Sequence, residues 1–492
     1  MLKLFNFHGG LQLPRHKQVS LERPVATASL PEQLIYPLQL RPGVRLTATV
    51  QPGERVLAGQ VIADSEHFLA TPVHAASSGV VRGIVDWLAP HPSGLPDHAV
   101  VIDTDGLEQA VAPMPGLDYR HETPATIKAR IRQAGVVGLG GAAFSTAVKL
   151  NPGPNRVIDT LILNGAECEP YITCDNALMQ TRARAVVEGA LILLHALQIG
   201  RCLIAVEDHM TEALAALDAV LAEVKDRRLS RVAVPSVYPT GGERQLIKVL
   251  TGKEAPSGGI PADVGIVCQN VGTAAAIYDA VVNGLPLTWR LVTVTGKGVA
   301  RPSNWLARIG TPIADLIEQS GGYTPDVRRL IIGGPMMGFA LPDDVIPIAK
   351  ASNCILAAAL SEVDVDRETR ACIRCGECAN ACPVNLLPQQ LYWYSRVNNL
   401  DKLKQFSLFD CIECGCCEVV CPSHIPLVNY YRAAKSKTLT KAKQAEKAAI
   451  AKRRHDANQE RKAREQAEKA ERARARKAAL AAAKQQEQPS ES

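Results

Sequence analysis

Apolar residues recur along this chain with different periods, and the changes of period divide it into segments. From about Pro31 to Val111, short runs alternate apolar and polar, as in Val44-Arg-Leu-Thr-Ala-Thr-Val-Gln, and Gly and Pro interrupt them. This predicts short strands joined by tight turns. From Thr123 to about Gly284, continuous apolar runs alternate with helical periodicity. Thr160-Leu-Ile-Leu-Asn predicts a buried strand, Asn176–Leu197 a long helix and Cys202-Leu-Ile-Ala-Val a second strand. His209–Leu221 predicts a second helix and Arg231-Val-Ala-Val-Pro a third strand. Such alternation argues a mostly parallel α/β sheet. From Thr288 to about Pro347, strands such as Arg290-Leu-Val-Thr-Val-Thr and one helix, Pro312–Gln319, predict a small α+β module. The apolar run Ala190–Leu194 soon meets His195 and Gln198, so it predicts a buried helix and no membrane span.

The 492 residues are 47% hydrophobic, which supports real cores and a soft expectation of three or four domains. The opening Met1-Leu-Lys-Leu-Phe-Asn-Phe-His lacks the long apolar core of a secretory signal, so a cytosolic protein is expected, free or docked on a membrane's cytosolic face. The net charge of +6 is unevenly spread. Ala433–Ser492 holds 17 Lys/Arg against 8 Asp/Glu, and the other 432 residues hold 38 against 41. The body is near neutral and the basic, Ala/Lys/Glu/Arg-rich tail reads as a solvated helix or as disordered. No aromatics interleave with its basic residues, so no nucleic-acid partner is expected. An anionic membrane surface or a partner protein fits the tail better.

Nine of the 14 cysteines lie within Cys372–Cys421, a crowding that reads as metal binding and not as a disulfide scaffold. Cys372-Ile-Arg-Cys375-Gly-Glu-Cys378-Ala-Asn-Ala-Cys382-Pro and Cys411-Ile-Glu-Cys414-Gly-Cys-Cys417-Glu-Val-Val-Cys421-Pro both fit C-x2-C-x2-C-x3-C-P. Three thiolates of one loop cap three irons of a cube, and the fourth reaches the other cube. One [4Fe–4S] cluster would then take Cys372, Cys375, Cys378 and Cys421, and the second Cys411, Cys414, Cys417 and Cys382. Zinc is the alternative, but zinc sites lack the fourth Cys at x3 before Pro. Cys416 is surplus and is expected as a packed or partly exposed thiol. Two adjacent cubes form a relay for single electrons, so another part of the chain must supply or take electrons.

Gly135-Val-Val-Gly138-Leu-Gly140-Gly141-Ala-Ala-Phe144-Ser-Thr146-Ala-Val-Lys149 is a Gly-rich loop entering a helix. Its backbone N–H groups, the helix N-terminus and Lys149 would suit a phosphate. Its spacing matches neither the Rossmann nor the P-loop pattern. Asn164-Gly-Ala-Glu167-Cys-Glu169-Pro follows the end of a buried strand, where α/β sheets bind ligands. Together the two segments resemble the flavin- and NADH-binding subunit of respiratory complex I and of NAD-linked hydrogenases. That family has Gly-x-Gly-Gly-Ala-Gly-Phe-Pro-Thr-Gly-x-Lys followed by Asn-Ala-Asp-Glu-Gly-Glu-Pro. Val267-Cys-Gln-Asn270-Val-Gly-Thr273 and, more weakly, Tyr238-Pro-Thr-Gly-Gly-Glu243 also match it. The resemblance implies that Gly138, Gly140 and Gly141 lie against non-covalent FMN, that Lys149 neutralises its phosphate, and that Asn164, Asn270 and Thr273 hydrogen-bond the flavin. It implies that Glu167 and Glu169 line the nicotinamide nucleotide pocket. Leu139, Ser145 and Ala166 stand where the family has Arg, Pro and Asp. Ala143 and Ala147 replace glycines, Cys168 falls at a Gly position, and Cys174 at a frequent Lys; both thiols are expected to be buried and inert.

Val50-Gln-Pro-Gly-Glu-Arg-Val-Leu-Ala-Gly-Gln-Val-Ile-Ala and Thr71-Pro-Val-His-Ala-Ala-Ser-Ser-Gly-Val-Val resemble the barrel-sandwich of lipoyl carriers, but Asp64-Ser-Glu-His-Phe-Leu offers no carrier Lys. The whole order is similar to the RnfC family, found in the Rnf complexes, which are membrane-bound ion-translocating ferredoxin:NAD oxidoreductases. Phe7-His-Gly-Gly-Leu-Gln-Leu-Pro and Ile331-Ile-Gly-Gly-Pro-Met-Met-Gly also fit. The expected fold is multidomain α/β plus α+β: an N-terminal segment 1–30, a lipoyl-like barrel-sandwich 31–115, an FMN/NADH-binding α/β domain 116–287, a β-grasp (SLBB-like) module 288–347, a double-cubane helical domain 365–430, and the tail 433–492. The resemblance implies two [4Fe–4S] clusters, FMN, and NAD(H) as substrate. It implies membrane subunits of the same complex and an iron–sulfur subunit or ferredoxin as partners, at the cytoplasmic face of a bacterial inner membrane. Two further readings stand beside it: a corrin reductase of propanediol microcompartments, and a cluster-bearing scaffold without flavin activity.

Overall fold

Thr160–Gly165 (β1) is buried on both faces and pairs in parallel with Cys202–Glu207 (β2) and Ile266–Asn270 (β4), while Leu229–Val234 (β3) extends the sheet beyond β2. The spatial order is β3-β2-β1-β4. The chain therefore winds outward from β1 and then returns to its other side, so the order reverses between β1 and β4. In such sheets the crevice beyond the carboxyl ends of the two strands at the reversal is the natural ligand site. Helices Cys174–Leu197 (α1), Thr211–Val224 (α2), Glu243–Thr251 (α3) and Val271–Val281 (α4) cover the sheet. The structure described is a computed structural model and covers residues 3–41, 43–363 and 367–486.

The core around α1 is unusually close. Leu161, Leu163, Val186, Ile192 and Leu194 are fully buried with Val271 and Ile277 of α4. A Cβ on Gly189 would lie 2.0 Å from the carbonyl oxygen of Ala274, so α1 and α4 cross with backbone against backbone.

Before the sheet, antiparallel strands Gln33–Pro37, Gly79–Leu88 and Pro96–Thr104 form one layer of a barrel-sandwich, and Thr47–Ala48, Val61–Asp64 and Val73–His74 form the other. Asp64 to Leu69 occupies the turn where a carrier lysine would stand, with Phe68 exposed at its tip. After the sheet, Trp289–Thr295 (β5), Ser303–Arg308 (β6) and Val327–Ile332 (β7) belong to a six-stranded sheet with Ile313–Gln319 (α5) packed on it. This sheet runs past the expected limit at 347. Cys354–Ala359 (β8) is wholly buried between β5 and β7, and Ala26–Thr27 pairs with β6 at one edge. Cys-Ile-Leu-Ala-Ala-Ala carries no alternation, because a strand covered on both faces needs none.

Contact density divides the chain into Met1–Gln390 with Phe409–Val428, and Leu391–Leu408 with Asn429–Ser492. The barrel-sandwich, both sheets and all the clustered cysteines lie in the first unit. In the second, Leu391, Leu403, Leu408 and Tyr431 are buried, and Tyr392 meets Tyr430 edge to face at 4.9 Å. The tail continues there as one helix within Leu427–Gln486, exposed on nearly all faces beyond Leu439. Among the described residues no helix is long and apolar enough to cross a membrane.

Gly189→Ala would strengthen an isolated helix by about 1 kcal/mol. Here overpacking against Ala274 makes it destabilising by about 1–3 kcal/mol. Urea denaturation of cluster-free protein checks this, and a raised midpoint would contradict the backbone contact.

Candidate functional site

The Gly-rich loop lies against the carboxyl end of β4, where Gly140 stands beside Asn270 and Leu139 N–H bonds the Thr273 hydroxyl. It closes on itself through Gly138 N–H to the Phe144 carbonyl (2.8 Å) and Ala143 N–H to the Gly138 carbonyl (3.2 Å). Ala143 has φ +45°, so it keeps the left-handed backbone that glycine serves in the related family. A Cβ on Gly141 would meet nothing within 4 Å, and one on Gly140 would stand 3.5 Å from the Asn270 side chain. The loop thus presents a bare concave backbone beside Asn270.

Each expected flavin contact has a definite place. Asn270 accepts from Gly272 N–H (2.8 Å) and donates to Asp175 Oδ2 (2.6 Å), capping α4 and joining it to α1. Asn164 donates to the Gly241 carbonyl (2.8 Å) and accepts from Ala166 N–H (3.0 Å). Thr273 is fully buried, and its hydroxyl accepts from Leu139 N–H (2.9 Å), so it positions the loop and does not face the cradle. Lys149 ends a helix of four residues, Thr146–Lys149, too short for the dipole expected at its start. Its ammonium pairs with Glu243 at 2.5 Å, both side chains about a third exposed. Desolvation lowers the Lys149 pKa, but the Glu243 carboxylate and the Cys268 thiol outweigh it and hold the amine above its ordinary value. Glu243, first residue of α3, was not among the expected site residues; the signal was the weak match ending at that glutamate.

A flavin nucleotide fits this set. The hydroxyls of Ser145 and Thr146 and the amide groups of Gln245 and Gln269 hold buried polar atoms with no protein partner. Buried groups of this kind call for a ligand or water. Ser145 and Thr146 follow the bare Gly140–Gly141 backbone in sequence and Lys149 closes the same segment, a donor set of the kind a phosphate requires.

The two glutamates make structural bonds of their own. Glu167 accepts from Asp175 N–H (2.9 Å) and Asn176 N–H (3.4 Å), so its carboxylate caps the start of α1. Lys17, itself 6% exposed, donates to the Glu167 and Ile172 carbonyls and pairs with the Glu167 carboxylate at 3.9 Å. Glu169 accepts from Met336 N–H (3.2 Å) and Met337 N–H (2.7 Å), which pins the Gly333–Met337 turn. Both carboxylates thus bond backbone donors, Glu167 as a buried group and Glu169 as a partly exposed one. Burial raises the pKa of Glu169 to about 7, against the pull of the Met337 and Met336 N–H groups. Burial also raises Glu207 to about 7, and burial with the nearby Glu167 raises Asp175 to about 7. Desolvation pushes both the Cys168 and Cys174 thiols up; Cys174 is buried as expected, whereas Cys168 is only partly so.

The cysteine module is a tandem repeat of one fold. Cys372 and Cys411 lie 39 positions apart, and so do the backbone specials: Arg374 and Glu413 (φ 59° and 58°), Gly376 and Gly415 (87° and 80°), Asn385 and His424 (53° and 51°). Each loop ends in one helical turn, Glu377–Asn380 or Cys416–Val419. Every cysteine in the chain is outside any disulfide. The electrostatic neighbours of the Cys378 thiol are Cys375 and Cys421, and those of Cys417 are Cys411, Cys414 and Cys382. The fourth cysteine of each motif therefore sits with the other loop. Such convergence, without disulfides, fits cube ligation.

The repeats differ in surroundings. Cys382, Cys414 and Cys417 are buried, whereas Cys375 is exposed. The Tyr238 hydroxyl donates to the Cys414 carbonyl (2.6 Å), and Tyr238 and Leu11 exchange backbone hydrogen bonds of 2.8 Å. His8 Nδ1 lies 2.9 Å from the Cys382 carbonyl oxygen. Tyr238 begins the stretch whose Gly241 carbonyl holds Asn164 and whose Glu243 holds Lys149. Cradle and cysteine loop thus share one connecting segment.

This arrangement defines a flavin and iron–sulfur electron-transfer protein. Models of four families match it: a Nuo51 FMN-binding domain over residues 131–279, an RnfC barrel sandwich hybrid domain over 5–107, an SLBB domain over 291–340 and a 4Fe-4S dicluster domain over 371–425. The RnfC protein of the ion-translocating oxidoreductase complex of Yersinia pestis is 46% identical over 484 residues, 98% of this chain and 77% of the relative. Those of Pectobacterium atrosepticum and Pseudomonas aeruginosa are also 46% identical, over 94% and 95% of this chain. The chain spans 66% and 60% of the length of these last two. The chain belongs to the RnfC family of ion-translocating oxidoreductase complexes.

Glu169, Asp175 and Glu207, with raised pKa values near 7, bind protons that the unfolded chain has released. Stability is then full below about pH 4.5 with respect to these groups and falls as pH rises toward 7. His74, His209 and Lys350, whose pKa values burial lowers to about 3, about 4 and about 7, act in the opposite sense over the same range. The test is therefore the difference between variants: from pH 5.5 to pH 8 the urea midpoint of cluster-free Glu169→Gln should fall less, or rise more, than that of wild type, and an identical pH dependence would contradict the Glu169 shift.

Proposed function

We propose that this chain is the NAD(H)-side subunit of a membrane-bound, ion-translocating electron-transport complex. FMN would lie in the cradle of Gly138, Gly140 and Gly141, with Asn164 and Asn270 along its edge and Lys149 toward its phosphate. One [4Fe–4S] cluster would take Cys411, Cys414, Cys417 and Cys382, and the other Cys372, Cys375, Cys378 and Cys421. Bound FMN would exchange a hydride with NAD(H) and pass single electrons to the clusters.

The observation that carries this reading is the shared segment Tyr238–Glu243. Its far end holds Lys149 through Glu243, and its near end donates to the Cys414 carbonyl. A cluster held by the Cys414 loop would then be the one nearer the flavin, and one held beside exposed Cys375 would be the one open to an outside partner. The chain's own work is to cradle the flavin, exclude water around the inner cluster and leave the outer one open. Glu167 and Glu169 support it by fixing α1 and the Gly333–Met337 turn. With no described helix suited to crossing a membrane, ion movement would fall to membrane partners, and electrons would pass to or from an iron–sulfur subunit or ferredoxin at the cytoplasmic face. The name shared by the relatives supports this reading.

Anaerobic reconstitution with flavin, iron and sulfide analysis tests it. One FMN and about eight irons per chain are expected, with NADH bleaching the flavin. Zinc in place of iron, or a flavin inert to NADH, would overturn the reading. Cys382→Ala should abolish the cluster of the other motif, Cys411–Cys414–Cys417, with the electron paramagnetic resonance signal of one cluster lost. Lys149→Met should lower FMN occupancy at least about tenfold and leave the iron content unchanged; retained flavin would refute the phosphate assignment.

A further inference from the structure

A cavity of about 660 Å³ lies where the barrel-sandwich, the four-stranded sheet domain and the β-grasp sheet meet. Its volume falls within the range of small-molecule sites. Val61, Leu139, Leu178 and Leu291 give it aliphatic walls, and Ala276 of α4 stands at one side. Among the described lining residues the one indole or phenyl ring is Trp289, and the Arg308 guanidinium lies over it at 4.3 Å, so that ring is already engaged. The charges that line the cavity do not balance. Arg182 is paired with Asp279 through two bonds of 2.9 and 2.8 Å. His74 Nδ1 has no partner, but burial and the nearby Lys350 keep the ring neutral, so it adds a polar atom and no charge. Arg290 is 4% exposed; its terminal nitrogens donate to the Lys350 and Leu139 carbonyls, and its Nε has no partner. Asp175 lies close enough to feel this charge, but its carboxylate is held by the Asn270 amide (2.6 Å). Among the described residues no carboxylate forms an ion pair with Arg290. A buried guanidinium without an anion is costly, and two backbone carbonyls do not neutralise it.

We propose that this cavity is a binding site for an aliphatic carboxylate, its head accepting from Arg290 Nε and its chain lying along Leu178 and Leu291. The anion supplies the charge that the walls lack, in a charge-assisted hydrogen bond. The chain takes the aliphatic walls out of contact with water. A short carboxylate meets the charge without covering the walls, and a long alcohol covers the walls without meeting the charge. No covalent bond is made or broken. The cradle glycines Gly138, Gly140 and Gly141, Lys149 and the eight motif cysteines do not line the cavity, so the inference does not rest on the cofactor assignment. The occupant would still be felt at the Gly-rich loop. Leu139 belongs to that loop and its carbonyl is held by Arg290, while Asp175 joins the cavity wall to Asn270. The site is thus an effector position behind the loop, and not a route for electrons.

The test is isothermal titration calorimetry of anaerobically prepared full-length protein with decanoate, decanol and acetate, each kept below the concentration at which it aggregates. Decanoate should bind once per chain, and decanol and acetate at least about tenfold more weakly. Arg290→Gln should weaken decanoate binding at least about tenfold and leave decanol binding as in wild type. Because Arg290 also holds two carbonyls, Ala276→Trp is the second variant. It fills the cavity from α4 and should abolish decanoate binding while flavin and iron content stay as in wild type. No binding of decanoate, which would leave the cavity to water, would overturn the site. So would decanol binding as tightly as decanoate, or decanoate binding undiminished in Ala276→Trp, the mark of adventitious adsorption. Wild-type protein that binds decanoate but holds no FMN would support this site and overturn the flavin reading, so the two fail separately.

Discussion

The Tyr238 hydroxyl held to the Cys414 carbonyl is the constraint on which the working arrangement depends. Electron transfer between two centres demands a fixed, short and dry path, and two separately folded modules do not supply one by themselves. Here a single stretch of backbone leaves the cysteine loop at Tyr238, passes Gly241 and reaches Glu243 at the head of a helix. Its hydrogen bonds are to Asn164 and Lys149 on one side and to Cys414 on the other. Leu11 braces it from the N-terminal segment, and His8 and Gly10 reach the Ala381–Cys382 backbone of the first motif. The N-terminal residues therefore clamp the cysteine module to the sheet domain.

Beneath that path lies a buried set of charges. Lys17 is drawn into the interior by two carbonyls and the Glu167 carboxylate, and Glu169 and Glu207 lie close enough to feel it. A lone ammonium in such a place would be costly, and so would any of the carboxylates. Together they hold the start of α1, the Gly333–Met337 turn and the N-terminal segment in one geometry. The two glutamates that the family resemblance assigns to substrate also carry framework here, Glu167 at the start of α1 beside Lys17 and Glu169 on the Gly333–Met337 turn.

Much of this was legible in the sequence, for identifiable reasons. The strand at Thr160, the helix at Asn176 and the carboxyl-end position of Asn164 follow from local periodicity. The cysteine spacing encodes a loop geometry, and Cys382 and Cys421 do sit with the opposite loops. What local pattern could not carry is pairing at a distance. Nothing near Ile266 says that β4 returns to the far side of β1, although that reversal creates the crevice. Cys354–Ala359 escaped the expected module because full burial erased its alternation. Lys149 read as a free cation because its partner, Glu243, is far along the chain. Ala143 shows the converse: a residue that looks like a departure from the glycine pattern nevertheless keeps the left-handed turn.

The unequal burial of the two cysteine loops gives oxidative damage a direction. Dioxygen and peroxide reach a cube through its least covered edge, and Cys375 stands at the surface while Cys414 and Cys417 are enclosed. On the proposed cluster assignment, the cube beside Cys375 would be the one to corrode first. If it is also the exit, its loss would interrupt outward traffic while the inner cube and the flavin stayed intact behind it. In air such a molecule would fail at its rim, and replacing that one cube would return it to service.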